Sequence, residues 1–497
     1  MNRGFPLTSA KHALGTLLCM LVALLLPEGS AGQGRAVPYA IEKEAYVFEH
    51  LASYGGFYVT ASFTIRNTGA SPLGAFRFRF PEHETLPLDS FQAITLGEKI
   101  APGDRRFDVD EDAVILRLVP PVAPKSTRAF SLKYGLIRSG PDHAGLALGP
   151  DYFHIATSAW MLRPPAKDTD GTVAKPETLS FEVTAPAGYR VLCTTREGTR
   201  LLPAGSRMMV PRAQFPPVCL GGRFHEHRVV RGGRTAVLWL LSDLPVDLVT
   251  KAGQHIADCA GLYERVFGPA LDQSQPVWLV EMSVGPNFAE RNQPPRESAG
   301  MAAITGTSGS LRGGVLLSTP MLEIGLGSDA VLNTLAWELA QSWFSYTVEA
   351  LPDGFRGGLA GYAGLLAEIN RRGAAVRPQI LAKYLKRYDE VRERAGKDLP
   401  LRWASPDDAG EPDWNQRFLL SSRGTFLLVA LEDALGSTAM HAALRKLVQD
   451  GRGRQVDFDD LRRAVEAQGS KNVEEIFAAW LKAPGIPADF RARHSAP

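Results

Sequence analysis

Between residues 37 and 240 apolar and polar positions alternate in short runs. YVTASFTIRN (58–67), FRFRFP (76–81), VILRLV (114–119) and LSFEVTAP (179–186) read as strands, punctuated by turn clusters such as NTGASP and PAGY. A polar segment, PPAKDTDGTVAKPET (164–178), reads as a loop between strands. Many short strands with regular turns predict a sandwich-like β-domain. From about residue 243 the period changes. VDLVTKAGQHIADCAGLYERVFG (246–268) has helical spacing and stops at Gly268. PVWLVEM (276–282) and GGVLLST (313–319) read as strands, and PNFAERNQPPRESAG (286–300) as a loop. Helices are predicted over 328–346, with Ser328 as N-cap, and over 358–373 and 378–396. After a loop rich in Pro, Asp and Trp at 398–416 they continue at 423–436, 438–451 and 458–469, with a last stretch at 473–490. The expectation is an α+β chain of two units, a β-domain over 37–240 and a mostly helical domain over 243–490.

Composition narrows the class without naming a function. The 497 residues are 45% hydrophobic and 22% charged, ordinary for a soluble globular protein, and a net charge of +2 gives no case for nucleic acid as partner. The N-terminus reads as a secretory signal over 1–31. Arg3 and Lys11 precede an apolar run at 13–26, and GSA at 29–31 is a small-residue cleavage site. The run is short of the ~20 residues that span a bilayer, so no stable membrane span is expected after cleavage. Leu18 before Cys19 argues against lipidation. The expected location is exported, periplasmic or secreted. Three cysteines remain in the mature chain: Cys193, Cys219 and Cys259. An odd count in an oxidising compartment allows one bridge, with Cys193 and Cys219 as the candidate pair in β-like text, or three buried thiols.

One segment carries candidate chemistry. Residues 337–341 read WELAQ, inside LAWELAQSWFSYTVEALPDGFRGGLAGYAGLLAE. The segment resembles the metal-binding stretch of M1-family aminopeptidases (gluzincins), whose pattern is His-Glu-x-x-His with a glutamate ligand further on. Elsewhere SAWMLRPPA (158–166) and VTAPAGYRVL (183–192) resemble phrases of that family's N-terminal β-domain. RGTFLLVALEDALG (423–436) resembles its Tyr-x-Lys-Gly helix, and DLRRAVEAQGSKNVEEIFAAWLKAPGIP (460–487) the stretch that closes its catalytic domain. The resemblance implies a thermolysin-like, mostly helical catalytic-type domain behind a β-sandwich-like one.

Carried over position by position, the resemblance puts Trp337 and Gln341 where the family has its histidines, Ala360 at the third-ligand position, and Glu338 at the general base. The transition-state tyrosine falls on Ser421. The amine-anchoring Gly-x-Met-Glu-Asn motif falls near AGMAA, at Met301 and Ala302. Two histidines four apart on a helix reach one ion, and a catalytic zinc takes three protein ligands plus an activated water. An indole, a neutral amide and a methyl group do not replace those donors. The implied cofactor, zinc, is therefore not expected. The reading is an exported pseudoenzyme that binds a peptide or protein in the former cleft. The alternatives are a divergent hydrolase with residual activity through Glu338, and a structural subunit of an envelope complex. Trp337 is expected to fill the space left by metal and ligands, a stacking platform for a peptide or sugar being the other reading. His225 and His227 share one strand face and read as solvated. GTSGS (306–310) lacks the spacing of a nucleophile elbow. The sequence says nothing of oligomeric state.

Overall fold

The computed structural model describes residues 38–51, 56–79, 91–96, 107–110, 113–137, 146–148, 151–156, 178–195, 198–202, 207–211, 218–270, 274–282, 308–323, 325–402, 413–469 and 473–495. The signal-like segment 1–31, Met301 and Ala302 lie outside them.

The described residues of the first unit form only strands and the turns between them. Its strands are β1 (Tyr39–Leu51), β2 (Gly56–Asn67), β3 (Leu73–Arg79), β4 (Phe91–Leu96), β5 (Phe107–Asp110), β6 (Ala113–Val122) and β7 (Thr127–Ile137). They continue as β8 (Leu146–Leu148), β9 (Tyr152–Ala156), β10 (Thr178–Thr184), β11 (Arg190–Thr195), β12 (Gly198–Leu202), β13 (Arg207–Pro211) and β14 (Val218–Gly222). Three sheets form, in the orders β13-β10-β1-β2-β7-β4, β3-β6-β5 and β12-β11-β14-β9-β8. The alternation read from YVTASFTIRN has its expected effect. Val59, Ala61, Phe63 and Ile65 are buried, while Tyr58 and Arg66 face solvent. Phe63 meets Phe78 with ring centroids 5.2 Å apart, and Phe76 meets Phe78 at 5.0 Å, tilted as aromatic quadrupoles prefer. Cys193 and Cys219 stand opposite each other on β11 and β14 and are joined by a disulfide.

The next five strands, β15 (His225–Arg231), β16 (Arg234–Leu240), β17 (Val277–Met282), β18 (Ser308–Leu311) and β19 (Gly314–Ser318), form one sheet in the order β15-β16-β17-β19-β18. β-Structure runs to Leu240 and a helix starts at Val246, as the change of period indicates, but β15 and β16 join β17 in one sheet rather than the sheets of the first unit. The reason is that β16 is β-structure of a different kind. RTAVLWL is an apolar run covered on both faces, as in a sheet with parallel strands. Ala236, Leu238, Leu279, Val315 and Leu317 pack under helix α1 (Val246–Phe267). Val237, Trp239, Trp278, Val280 and Leu316 turn the other way, onto Tyr152, Leu192, Leu220 and Phe224 of the first unit. At the β18–β19 turn the first unit also grips backbone. Thr194 Oγ1 accepts from the Arg312 N–H at 3.2 Å, and the Thr199 hydroxyl donates to the Arg312 carbonyl.

The helices follow as α2 (Thr319–Glu323), α3 (Asp329–Gln341), a π-helical turn (Ser342–Thr347), α4 (Asp353–Arg372), α5 (Arg377–Ala395), α6 (Trp414–Leu435), α7 (Ser437–Asp450), α8 (Phe458–Glu466), α9 (Val473–Leu481) and α10 (Ala488–His494). Ser328 caps α3, its hydroxyl accepting from the Val331 N–H at 3.4 Å. Helix α6 starts nine residues before its predicted start, because Asp413 and Gln416 close a capping box. The stretch predicted at 473–490 is two helices, divided at Pro484, Gly485 and Pro487.

Helices α4 and α6 come unusually close. Gly354, Gly357, Gly358 and Gly361 face Leu420, Ser421, Gly424 and Thr425, and a Cβ built on Gly358 would lie 2.6 Å from the Gly424 Cα. Beyond them Arg423, fully buried, donates to the carbonyls of Leu399, Trp480 (2.9 Å) and Ala483 (2.6 Å), tying α6 to the end of α9. Among the described residues no helix is long and apolar enough to cross a membrane.

Candidate functional site

Helices α3 and α4 run antiparallel, and two side-chain pairs set their register. Arg371 donates to Asp329 at 2.7 Å, and Asn333 Nδ2 to Glu368 at 3.1 Å. Arg372 adds a bond to the other Glu368 oxygen at 2.7 Å. Gln341 lies eight residues after Asn333, and Ala360 eight residues before Glu368. Equal rise on both helices therefore brings Gln341 and Ala360 level. By the same step Trp337 comes level with Gly364, four residues from the pair on each helix. The row Asp329, Asn333, Trp337, Gln341 is thus a ladder of four rungs against α4.

The rungs differ in how they are filled. Gln341 is buried, and its Oε1 accepts from the Ser345 hydroxyl at 2.6 Å. Ala360 is fully buried. Glu338 is buried beside them, and its charge adds to the burial that pushes the Tyr346 phenol up to about 12. The Tyr346 hydroxyl donates to the Ser310 carbonyl at 2.9 Å. Ser342 in the same π-helical turn donates to the Leu311 carbonyl at 3.2 Å and accepts from the Gly313 N–H at 2.9 Å. The turn after α3 is thereby pinned to the edge strand β18.

Trp337 does not fill a void, contrary to expectation. It is 36% exposed, and it makes no hydrogen bond or ring contact among the described residues. The tryptophan that packs the region is Trp343, fully buried, with Nε1 donating to the Gly268 carbonyl at 2.8 Å and its ring edge-on to Tyr263 at 5.6 Å. The space next to α3 was already taken by α1. Tyr263 donates to the Ala336 carbonyl at 2.9 Å, and His255 Nε2 donates to the Leu332 carbonyl at 2.8 Å. Of the α3 row that meets α4, Asn333 is half-buried against Glu368 and Trp337 is left exposed.

Ser421 is half-buried in the α4–α6 contact, its side chain directed at Gly357, so it belongs to the glycine-lined seam one turn from Ala360. Trp337, Glu338, Gln341, Ala360 and Ser421 thus sit on three helices, α3, α4 and α6, with α4 packed between the other two. His225 is exposed and His227 half-buried, on the outermost strand of their sheet. Glu368, Asn333 and Gly364 were not singled out from sequence. Their signal was available as polar or small residues at the same offset on either side of the WELAQ and Ala360 positions.

The donor chemistry at the rungs does not suit a zinc ion. An indole nitrogen has no available lone pair, the Gln341 carbonyl is neutral and engaged by Ser345, and Ala360 has no donor atom. Among the described residues no group of three or more His, Cys, Asp or Glu side chains could hold a metal.

No protein-family model matches the sequence, and no curated protein does. Solved structures do. A two-domain M1 zinc metallopeptidase, a point mutant bound to L-tryptophan, is 16% identical, with 93% of this chain and 97% of that one covered at a TM-score of 0.54. The M1 zinc metallopeptidase from Deinococcus radiodurans is 17% identical over 90% of this chain and 95% of that one, also at 0.54. A mutant of the Deinococcus radiodurans protein holding the substrate Tyr-Ser-Ala is 16% identical over 93% and 97%, again at 0.54. The fold is therefore that of two-domain M1 metallopeptidases, a β-sheet N-terminal region followed by a helical C-terminal one.

Proposed function

We propose that this chain is an exported, non-hydrolytic M1-type scaffold that binds peptide in the cleft between α3 and α4. The observation that carries the reading is the level pair Gln341 and Ala360, one turn from Trp337. Antiparallel helices meet there as they must to bring a His-Glu-x-x-His pair and a third ligand to one ion, yet the side chains offered are an amide, a methyl group and an indole. Glu338, without a metal-activated water, is an ordinary buried carboxylate. The similar structure that holds the substrate Tyr-Ser-Ala supports a peptide as the ligand class. Export rests on the signal-like pattern at 1–31.

Elemental analysis of the mature protein, with a panel of aminoacyl and endopeptidase substrates, tests the reading. Well under one equivalent of zinc and no turnover are expected. A stoichiometric zinc that survives dialysis would overturn it. So would turnover that disappears in Glu338→Gln, which would instead support a divergent hydrolase.

A further inference from the structure

We infer that Trp337 forms a ring-stacking subsite, so that the peptides selected by the cleft carry an aromatic side chain; this rests on the peptide reading above. The first two rungs of the α3–α4 ladder are closed by side-chain bonds, Asp329 with Arg371 and Asn333 with Glu368. At the fourth, Gln341 and Ala360 are both buried, and the Gln341 carbonyl accepts from Ser345. The third is open. Gly364 is buried, yet a Cβ added there would meet no atom of the described residues within 4 Å. Level with that space stands the indole of Trp337. The large apolar side chains around it on the chain, Leu332, Leu335, Leu339, Trp343 and Phe344, are all buried. A single exposed apolar residue is common on any surface and would mean little alone. Here the exposed ring is paired with an unfilled space on the facing helix, and with a polar group at one end. The Gln341 carbonyl is turned to Ser345, and its amide nitrogen has no partner among the described residues. One turn separates that donor from the indole, so a peptide carbonyl can accept from it while a neighbouring side chain lies on the ring. A second aromatic ring suits the indole face in an offset or edge-on arrangement.

Isothermal titration of the mature protein with Phe-Ala-Ala, Ala-Phe-Ala and Ala-Ala-Phe, against Ala-Ala-Ala and Ala-Arg-Ala, tests this. At least one Phe peptide is expected to bind about tenfold or more tightly than Ala-Ala-Ala, on the scale of an aromatic hot spot. Trp337→Ala should remove that preference, and Trp337→Phe should keep most of it. Gly364→Leu fills the space and should remove the preference while the melting temperature holds or rises, which separates occupancy from misfolding. Equal affinity for Phe and Ala peptides, a preference that survives Trp337→Ala, or strongest binding of Ala-Arg-Ala would overturn the aromatic subsite and leave peptide binding standing. No binding of any peptide would overturn both.

Discussion

Asn333 donates its side-chain amide to the carboxylate of Glu368, and this bond sets which residues of α3 and α4 meet further along. Glu368 is buried and also accepts from Arg372. Glu368→Ala strands Asn333 and Arg372 together with the Tyr384 hydroxyl, and is expected to cost about 1–3 kcal/mol in urea unfolding. Glu368→Gln keeps an oxygen for Asn333 and should cost less.

Two glycines on α4 should respond oppositely to the same substitution. Among the described residues Gly364→Ala meets no atom, and it removes a flexible residue from mid-helix, so a gain of about 0.4–1 kcal/mol is expected. Gly358→Ala drives a methyl into the Gly424 backbone and should cost about 1–3 kcal/mol, occasionally more. Melting temperatures of the two variants side by side decide the point.

Arg423 is a buried cation serving three carbonyls, with Asp398 3.9 Å away. Arg423→Leu leaves those acceptors and the Asp398 charge behind, and about 3–5 kcal/mol of destabilisation is expected. Denaturant titration measures it. A near-neutral result would show that the guanidinium is replaceable by packing.

Burial pushes the imidazole of His154 down to about 4. The unfolded chain protonates this group near 6.5 while the folded chain does not. The unfolded state therefore binds more protons as pH falls, and stability is lost progressively between about pH 6.5 and 4. The full loss is on the order of 3 kcal/mol. Unfolding midpoints at pH 7.5 and 5 should differ less in His154→Leu than in the parent.

A chelator should not change the melting temperature, since no metal-binding free energy is coupled to folding in the proposed reading. A clear downward shift in EDTA would contradict it.

Much of the helical unit was readable in advance. The Ser328 cap, the stop at Gly268 and the apolar stripes of α1 and α5 are local signals, and local signals survive folding. The start of α6 was also written, as Asp413 and Gln416, but the Pro- and Asp-rich text around it reads as loop. The change of period after residue 240 was readable, since β16 ends at Leu240 and α1 starts at Val246. The sheet that β15 and β16 join was not, because an alternating strand and a doubly buried one share the same residue types and only the partner sheet tells them apart. The exposure of Trp337 was not readable at all. Helical period says that Trp337 and Gln341 share a face, but not that α1, through Tyr263 and His255, covers the other side. The register of α3 on α4 depends on Asn333 meeting Glu368, a contact between residues 35 apart in sequence.

The grip of Thr194 and Thr199 on Arg312 bears on any attempt to dissect this molecule. The hairpin they hold carries Ser310 and Leu311, whose carbonyls anchor the turn that ends α3. A truncation beginning at His225 would strip that hairpin of its brace and turn Trp239 and Trp278 toward water. The helical half of the chain is thus no self-sufficient module, and its geometry is inherited in part from strands more than a hundred residues upstream in sequence.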